Sequence, residues 1–163
     1  MIERVEPGPG QESVWSYPRP PRVERDSRLA VVRFGGETVA ESRRCLRVLE
    51  TASPPTFYLP PEDVRSDLLE PGEATTFCEW KGRAAYLDVV AGGRRAVEAA
   101  WTYPTPNRRY ASLAGFLAFY PGRVDECTLE GEIVRPQPGR YYGGWITREI
   151  VGPFKGEPGT SVW

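Results

Sequence analysis

The chain of 163 residues contains no histidine. That absence removes Ser-His-Asp and Cys-His nucleophilic catalysis and the commonest ligand of zinc and iron. Cysteine is nearly as scarce. Cys45, Cys78 and Cys127 are odd in number and far apart, so neither a paired disulfide framework nor a C-x-x-C zinc knuckle is written. Reduced thiols, no metal and no cofactor are the expectation. No run approaches the roughly 18 apolar residues of a membrane-spanning helix, and Met1-Ile-Glu-Arg-Val-Glu-Pro7 lacks the apolar stretch of a secretory leader. A net charge of −1 gives no general attraction to polyanions, although arginines gather at Arg19 to Arg33 and Arg43 to Arg47. The composition points to a cytoplasmic protein whose partner is neither nucleic acid nor membrane, with oligomeric state left open.

Lysine is rare too. Lys81 and Lys155 stand against 19 arginines, and both sit in one local frame, Trp80-Lys81-Gly82 and Phe154-Lys155-Gly156. In a chain that uses arginine almost everywhere, a retained lysine marks a position where a planar guanidinium does not replace a compact ammonium. The plainer alternative is a stem lying along the preceding ring.

With 40% hydrophobic and 12% aromatic residues, the chain has the material for one domain core. Residues 1–23, with Pro7-Gly-Pro-Gly10 and Pro18-Arg-Pro-Pro21, read as an extended arm. Residues 24–125 read as antiparallel β-hairpins. Leu29 to Phe34 and Glu37 to Ala40 flank Gly35-Gly36, and Ala84 to Val90 and Ala96 to Tyr103 flank Gly92-Gly93. In the last of these, Val97, Ala99, Trp101 and Tyr103 fall on one face at period two. Ser42 to Glu50 is read as strand, although Cys45, Val48 and Leu49 also fit a helical face. Thr56 to Leu59 and Gly115 to Tyr120 read as strands and Pro61 to Leu69 as a short helix. Residues 126–163 form a Pro/Gly/aromatic tail with Trp145 and Trp163 as anchors on the domain. The fold class predicted is all-β, a single domain of antiparallel hairpins.

The densest chemical cluster is Thr75-Thr-Phe-Cys78-Glu79-Trp80-Lys81-Gly82. On a continuous strand Cys78 and Trp80 face one way and Glu79 and Lys81 the other. Cys78 is then a small buried thiol, slow to react. A lysine held beside that thiol would activate it as a nucleophile, which requires a bend in the chain here. Cys78, Lys81 and Glu50 are the candidate catalytic residues. Glu41-Ser42-Arg43, Glu50 and Glu62-Asp63 could act as acid and base or hold a cation, and surface ion pairs explain them more simply. The glycine pairs lie at hairpin turns, where no phosphate loop forms.

The string Arg33-Phe-Gly-Gly-Glu-Thr-Val-Ala-Glu-Ser-Arg43, then Val48-Leu-Glu50, Pro54-Pro55, Tyr58-Leu-Pro60, Glu62-Asp63-Val64, Thr76, Cys78-Glu-Trp-Lys-Gly82, Ala100-Trp101, Tyr103-Pro104 and Phe119-Tyr120 resembles the bacterial family called domain of unknown function 427. The resemblance covers about residues 24 to 125. One departure is Glu79, where the family motif reads Cys-Pro-Trp-Lys-Gly. The resemblance implies a β-tent domain, an architecture shared with methionine sulfoxide reductase B and several zinc-binding domains. The zinc of those relatives does not carry over, since their C-x-x-C pairs are missing here. The family is sometimes labelled nucleotidyltransferase-like, yet no Gly-Ser followed by an Asp-x-Asp pair supports phosphoryl transfer. The expected function is binding of a small polar or planar molecule in a cleft lined by Trp80, Trp101 and Tyr103, with Lys81 and Arg43 supplying charge. A small enzyme using Cys78, Lys81 or Glu50 is the alternative, and a protein-interaction module is the third.

Overall fold

Alternation of β-branched and aromatic residues with polar ones sets the strands, and paired glycines turn them. In the computed structural model, which describes residues 3–163, these strands build two main antiparallel sheets, beside two two-stranded ones, Glu12–Ser13 parallel to Ile150–Val151 and Arg135–Pro136 antiparallel to Trp145–Ile146. Met1 and Ile2 of the N-terminal segment lie outside the described residues. The larger sheet orders Arg22–Asp26, Cys45–Leu49, Thr56–Leu59, Leu117–Phe119, Arg94–Thr102, Gly82–Ala91 and Leu69–Cys78 across its width. The smaller orders Glu132–Ile133, Glu126–Leu129, Ala30–Phe34 and Glu37–Ser42. The fold is all-β. Among the described residues, no helix is long and apolar enough to cross a membrane.

Pro61 to Leu69 departs from the single helix expected. It forms two 3₁₀ turns, Pro61–Asp63 and Ser66–Leu68, because Val64 is drawn into a bridge with Ala40 and Arg65 N–H donates to the Val39 carbonyl at 2.8 Å. The pairing with strand Glu37–Ser42 outcompetes the helical bonds there.

Period two gives the larger sheet two buried faces. Phe57, Leu59, Leu117 and Phe119 point to the smaller sheet and meet Val32, Phe34 and Val39 in the main core. Trp145 completes that core. It is fully buried, stacks on Phe57 at 5.0 Å between ring centroids, and donates from Nε1 to the Phe119 carbonyl at 3.2 Å. Tyr58, Ala118 and Tyr120 point the other way, into a second aromatic cluster with Trp101 and Tyr103. The regular alternation expected over Val97 to Tyr103 breaks at Glu98, whose φ of +52° accompanies a register shift against the neighbouring strand. Ala99 and Ala100 both join the main core, Val97 is exposed, and only Trp101 and Tyr103 share the second face.

A half-buried ion network ties the termini to this sheet. Arg47 meets Glu12 at 2.6 Å, Glu24 and Asp26, while Arg28 meets Asp26 at 2.6 Å and Glu149. Burial alone would raise the Asp26 carboxyl, but hydrogen bonds from Arg28 and the Arg28 and Arg47 charges outweigh it and hold it below the ordinary carboxylate range. Glu12 is lowered against its own burial by bonds from Arg47 and Tyr17. Carboxyls depressed in the native state stabilise the fold above their unfolded values, about 3.9 and 4.3, and that stabilisation is lost as pH falls through the lower native values. Urea midpoints are therefore expected to hold from pH 7 to 5 and fall steeply below about 4. Arg47→Met should cost roughly 2 kcal/mol at pH 7 and flatten that acid slope.

Candidate functional site

The second face of the larger sheet carries a cavity of about 370 Å³. Six of the eight tyrosines line it: Tyr58, Tyr86, Tyr103, Tyr120, Tyr141 and Tyr142. Its wall is built by strand alternation. Tyr58 and Trp101 meet edge to face at 6.1 Å, and Trp101 Nε1 donates to the Tyr58 hydroxyl at 3.3 Å. Tyr103 lies 6.3 Å from Tyr58 and Tyr120 lies 4.5 Å from Trp101, ring centre to ring centre. The roof comes from the C-terminal segment, where Gly143 lets the backbone lie directly on the Trp101 ring. Gln137 fixes that segment, donating to the Lys155 carbonyl at 2.8 Å and accepting from Gly144 N–H at 3.0 Å.

The polar groups at the cavity arrive through a bend. Cys78 pairs with Gly82, so Glu79-Trp80-Lys81 becomes a tight hairpin turn, closed by Gly82 at φ +109°. The bend forms with glutamate at position 79. Asn107 clasps it, its N–H donating to the Lys81 carbonyl and its side-chain amide to the Trp80 carbonyl, both at 2.8 Å. Lys81 thereby leaves the face that a continuous strand would give it and joins Cys78 at the cavity. Its Nζ sits 5.9 Å from the Tyr103 ring centre. Lys155 stands in a similar relation to Tyr142, at 5.6 Å, and Gly156 repeats the positive φ of Gly82 at +112°.

Electrostatics define what the cavity presents. Burial pushes the Tyr58, Tyr103 and Tyr120 hydroxyls up, so all three stay protonated at neutral pH. Burial works against the Lys81 ammonium, but Tyr103, Cys78 and Glu50 more than offset it and its affinity for the proton rises. The site thus holds one cation and several O–H groups. Glu50 also lines it, half-buried and 3.6 Å from Arg19 Nε at the rim.

Of the residues expected from sequence, the structure brings Glu50, Cys78, Lys81, Trp101 and Tyr103 to one cavity. Trp80 packs on the same aromatic cluster without lining the cavity. Arg43 is elsewhere, exposed in the turn after strand Glu37–Ser42, where its guanidinium meets Glu130 at 3.1 Å. Cys78 is half-buried rather than buried, because its strand is the edge of the sheet. Ser42 and Arg44 spend the Asp63 carboxylate in local bonds of 2.6 and 2.9 Å, and among the described residues no group of three or more acidic, cysteine or histidine side chains could hold a metal. The residues that sequence reasoning missed are Tyr58, Tyr86, Tyr120 and the Tyr141-Tyr142-Gly143 roof. For Tyr58 a signal existed: it is the one polar ring between Phe57 and Leu59 on a strand.

A family model described as Domain of unknown function (DUF427) matches residues 22–130, and the chain belongs to that family. No curated protein matches it.

Proposed function

We propose that this member of the family binds a small planar anion in the tyrosine-lined cavity, with the Lys81 ammonium as charge partner and Trp101, Tyr103 and their neighbours as contact surface. One observation carries the reading. Lys81 is only 9% exposed and faces the cavity beside Cys78, and among the described residues its ammonium makes no ion pair with a carboxylate. An ammonium held at the cavity with no carboxylate in ion-pair contact is available to a charged guest, and a carboxylate or phosphate placed against it would form that pair. Glu50 does not take the role, since its closest cation is Arg19 at the rim. Large aromatic area with a few oriented polar groups is the usual make-up of a small-molecule site. Protonated phenols add donors to an anion without adding negative charge.

Thermal shift against a panel of planar carboxylates and nucleoside phosphates tests the reading, since a specific ligand raises the midpoint with its occupancy. Lys81→Met should leave the chain folded and cost no more than about 1 kcal/mol of unliganded stability, because no ion pair is broken while the favourable environment of the ammonium is lost. The same variant should weaken the hit at least tenfold, and Lys81→Arg should also weaken it while Lys155→Arg does not. Unchanged affinity in Lys81→Met, or equal loss of stability in Lys81→Arg and Lys155→Arg, would remove Lys81 from the site.

A further inference from the structure

We propose that Cys78 is a nucleophilic thiol of this cavity, selective for small carbon electrophiles that carry a carboxylate for Lys81 to hold. The inference rests on the anion-binding role of Lys81 given above and adds a covalent chemistry to it.

The three cysteines have different surroundings. Cys45 and Cys127 lie in the core between the sheets, each 1% exposed. Burial pushes the Cys45 thiol up to about 12 and moves Cys127 upward as well. Both are inert by position. Cys78 alone lines the cavity, packed against its aromatic cluster and open enough for a reagent to reach. The hairpin turn returns Lys81 to the same side three residues later, and the two bonds from Asn107 hold that turn in place. A thiol and a nine-tenths-buried ammonium with no carboxylate ion pair therefore stand side by side at one cavity. Protonated Tyr58 and Tyr103 stand beside them as further donors.

This geometry suits a reagent with its charge at one end and an electrophilic carbon a bond or two away. With an α,β-unsaturated carboxylate, Sγ bonds to the β-carbon as the carbon–carbon π bond breaks. The α-carbon then takes a proton, equivalent to the one the thiol gave up, so the adduct is the sum of the two reactants. With a haloacetate, the Sγ–C bond forms, the C–halogen bond breaks, halide leaves and the thiol proton passes to water. In both cases the ammonium holds the carboxylate while Cys78 forms the bond.

The test alkylates the intact native chain with iodoacetate and, separately, with uncharged iodoacetamide, and maps the three cysteines by peptide mass. Cys78 should be modified while Cys45 and Cys127 are spared. Its iodoacetate-to-iodoacetamide rate ratio should exceed that of the denatured chain by roughly tenfold, the effect of about 1.4 kcal/mol of charge attraction. Lys81→Met should return the ratio to the denatured value, and benzoate should protect Cys78 in the unaltered chain, a measurement that stands even if the variant fails to fold. Labelling of Cys78 as slow as that of the core thiols, or equal ratios in native and denatured chains, would overturn the proposal. Cys78→Ser separates the two levels of the argument. If benzoate still stabilises that variant, a failure of the labelling criteria rejects only the thiol chemistry. If benzoate neither stabilises nor protects, the anion site falls as well.

Discussion

Gly35→Ala is expected to lower the thermal midpoint by about 10 °C, whereas Gly36→Ala beside it costs a third of that or less. Both glycines have positive φ, +61° and +82°, where any residue with a Cβ loses roughly 1–2 kcal/mol. Their surroundings differ. A Cβ on Gly36 would meet nothing within 4 Å, while one on Gly35 would stand 2.2 Å from the Ala91 carbonyl oxygen and 2.5 Å from its carbon. The partner turn is reciprocal, since a Cβ on Gly92 would lie 2.3 Å from the Gly35 carbonyl oxygen. The two Gly-Gly turns, one from each sheet, thus abut backbone to backbone. Neither can yield without separating the sheets over Phe34 and Ala91 in the main core. Several kcal/mol of loss is the range for such forced displacement. Urea melts of the two variants decide the matter: equal losses would mean that the turns do not constrain each other.

Those turns were legible as turns because Gly-Gly between alternating apolar runs has few other uses. That they meet was not, since residues 35 and 92 are brought together only by the stacking of two sheets. The same division runs through the cavity. Trp101 and Tyr103 follow from a period of two on one strand, and the pairing of Tyr86 with Trp101 follows from the next hairpin. Tyr58 comes from a strand that reaches them across Leu117–Phe119, and Tyr141 to Gly143 from a segment whose glycines and prolines carry no period at all. Lys81 shows how a local rule misleads. Strand alternation separates it from Cys78, and a single tight turn overrides that parity. The clue was Gly82, a residue able to take the positive φ that closes such a turn. Arg43 illustrates the converse. Its place among matched positions suggested the site, but its turn faces Glu130 on the smaller sheet, away from the cavity.

Gly143→Ala is expected to lift the roof from the cavity, and its consequences should be read in binding as well as in stability. A Cβ there would lie 2.2 Å from Trp101 Cη2 and 2.8 Å from Cζ3, closer than atoms can approach. The ring has nowhere to retreat, because its Nε1 donates to Tyr58 and Tyr120 packs at 4.5 Å on its other contacts. The chain must move instead, and with it Tyr142 and the Gly144–Gln137 bond that anchors the segment. The expected stability loss is roughly 2–3 kcal/mol, typical of overpacking a fitted contact. Native Cys78 should become more reactive toward uncharged iodoacetamide, and any anionic ligand found should bind at least tenfold more weakly, since its cover is displaced. Trp101→Phe supplies the check on cause. It removes the ring edge that alanine strikes, so Gly143→Ala introduced into that background should cost at least about 1 kcal/mol less than it does alone. Additive losses in the double variant would show that Gly143 is required for some reason other than its contact with Trp101.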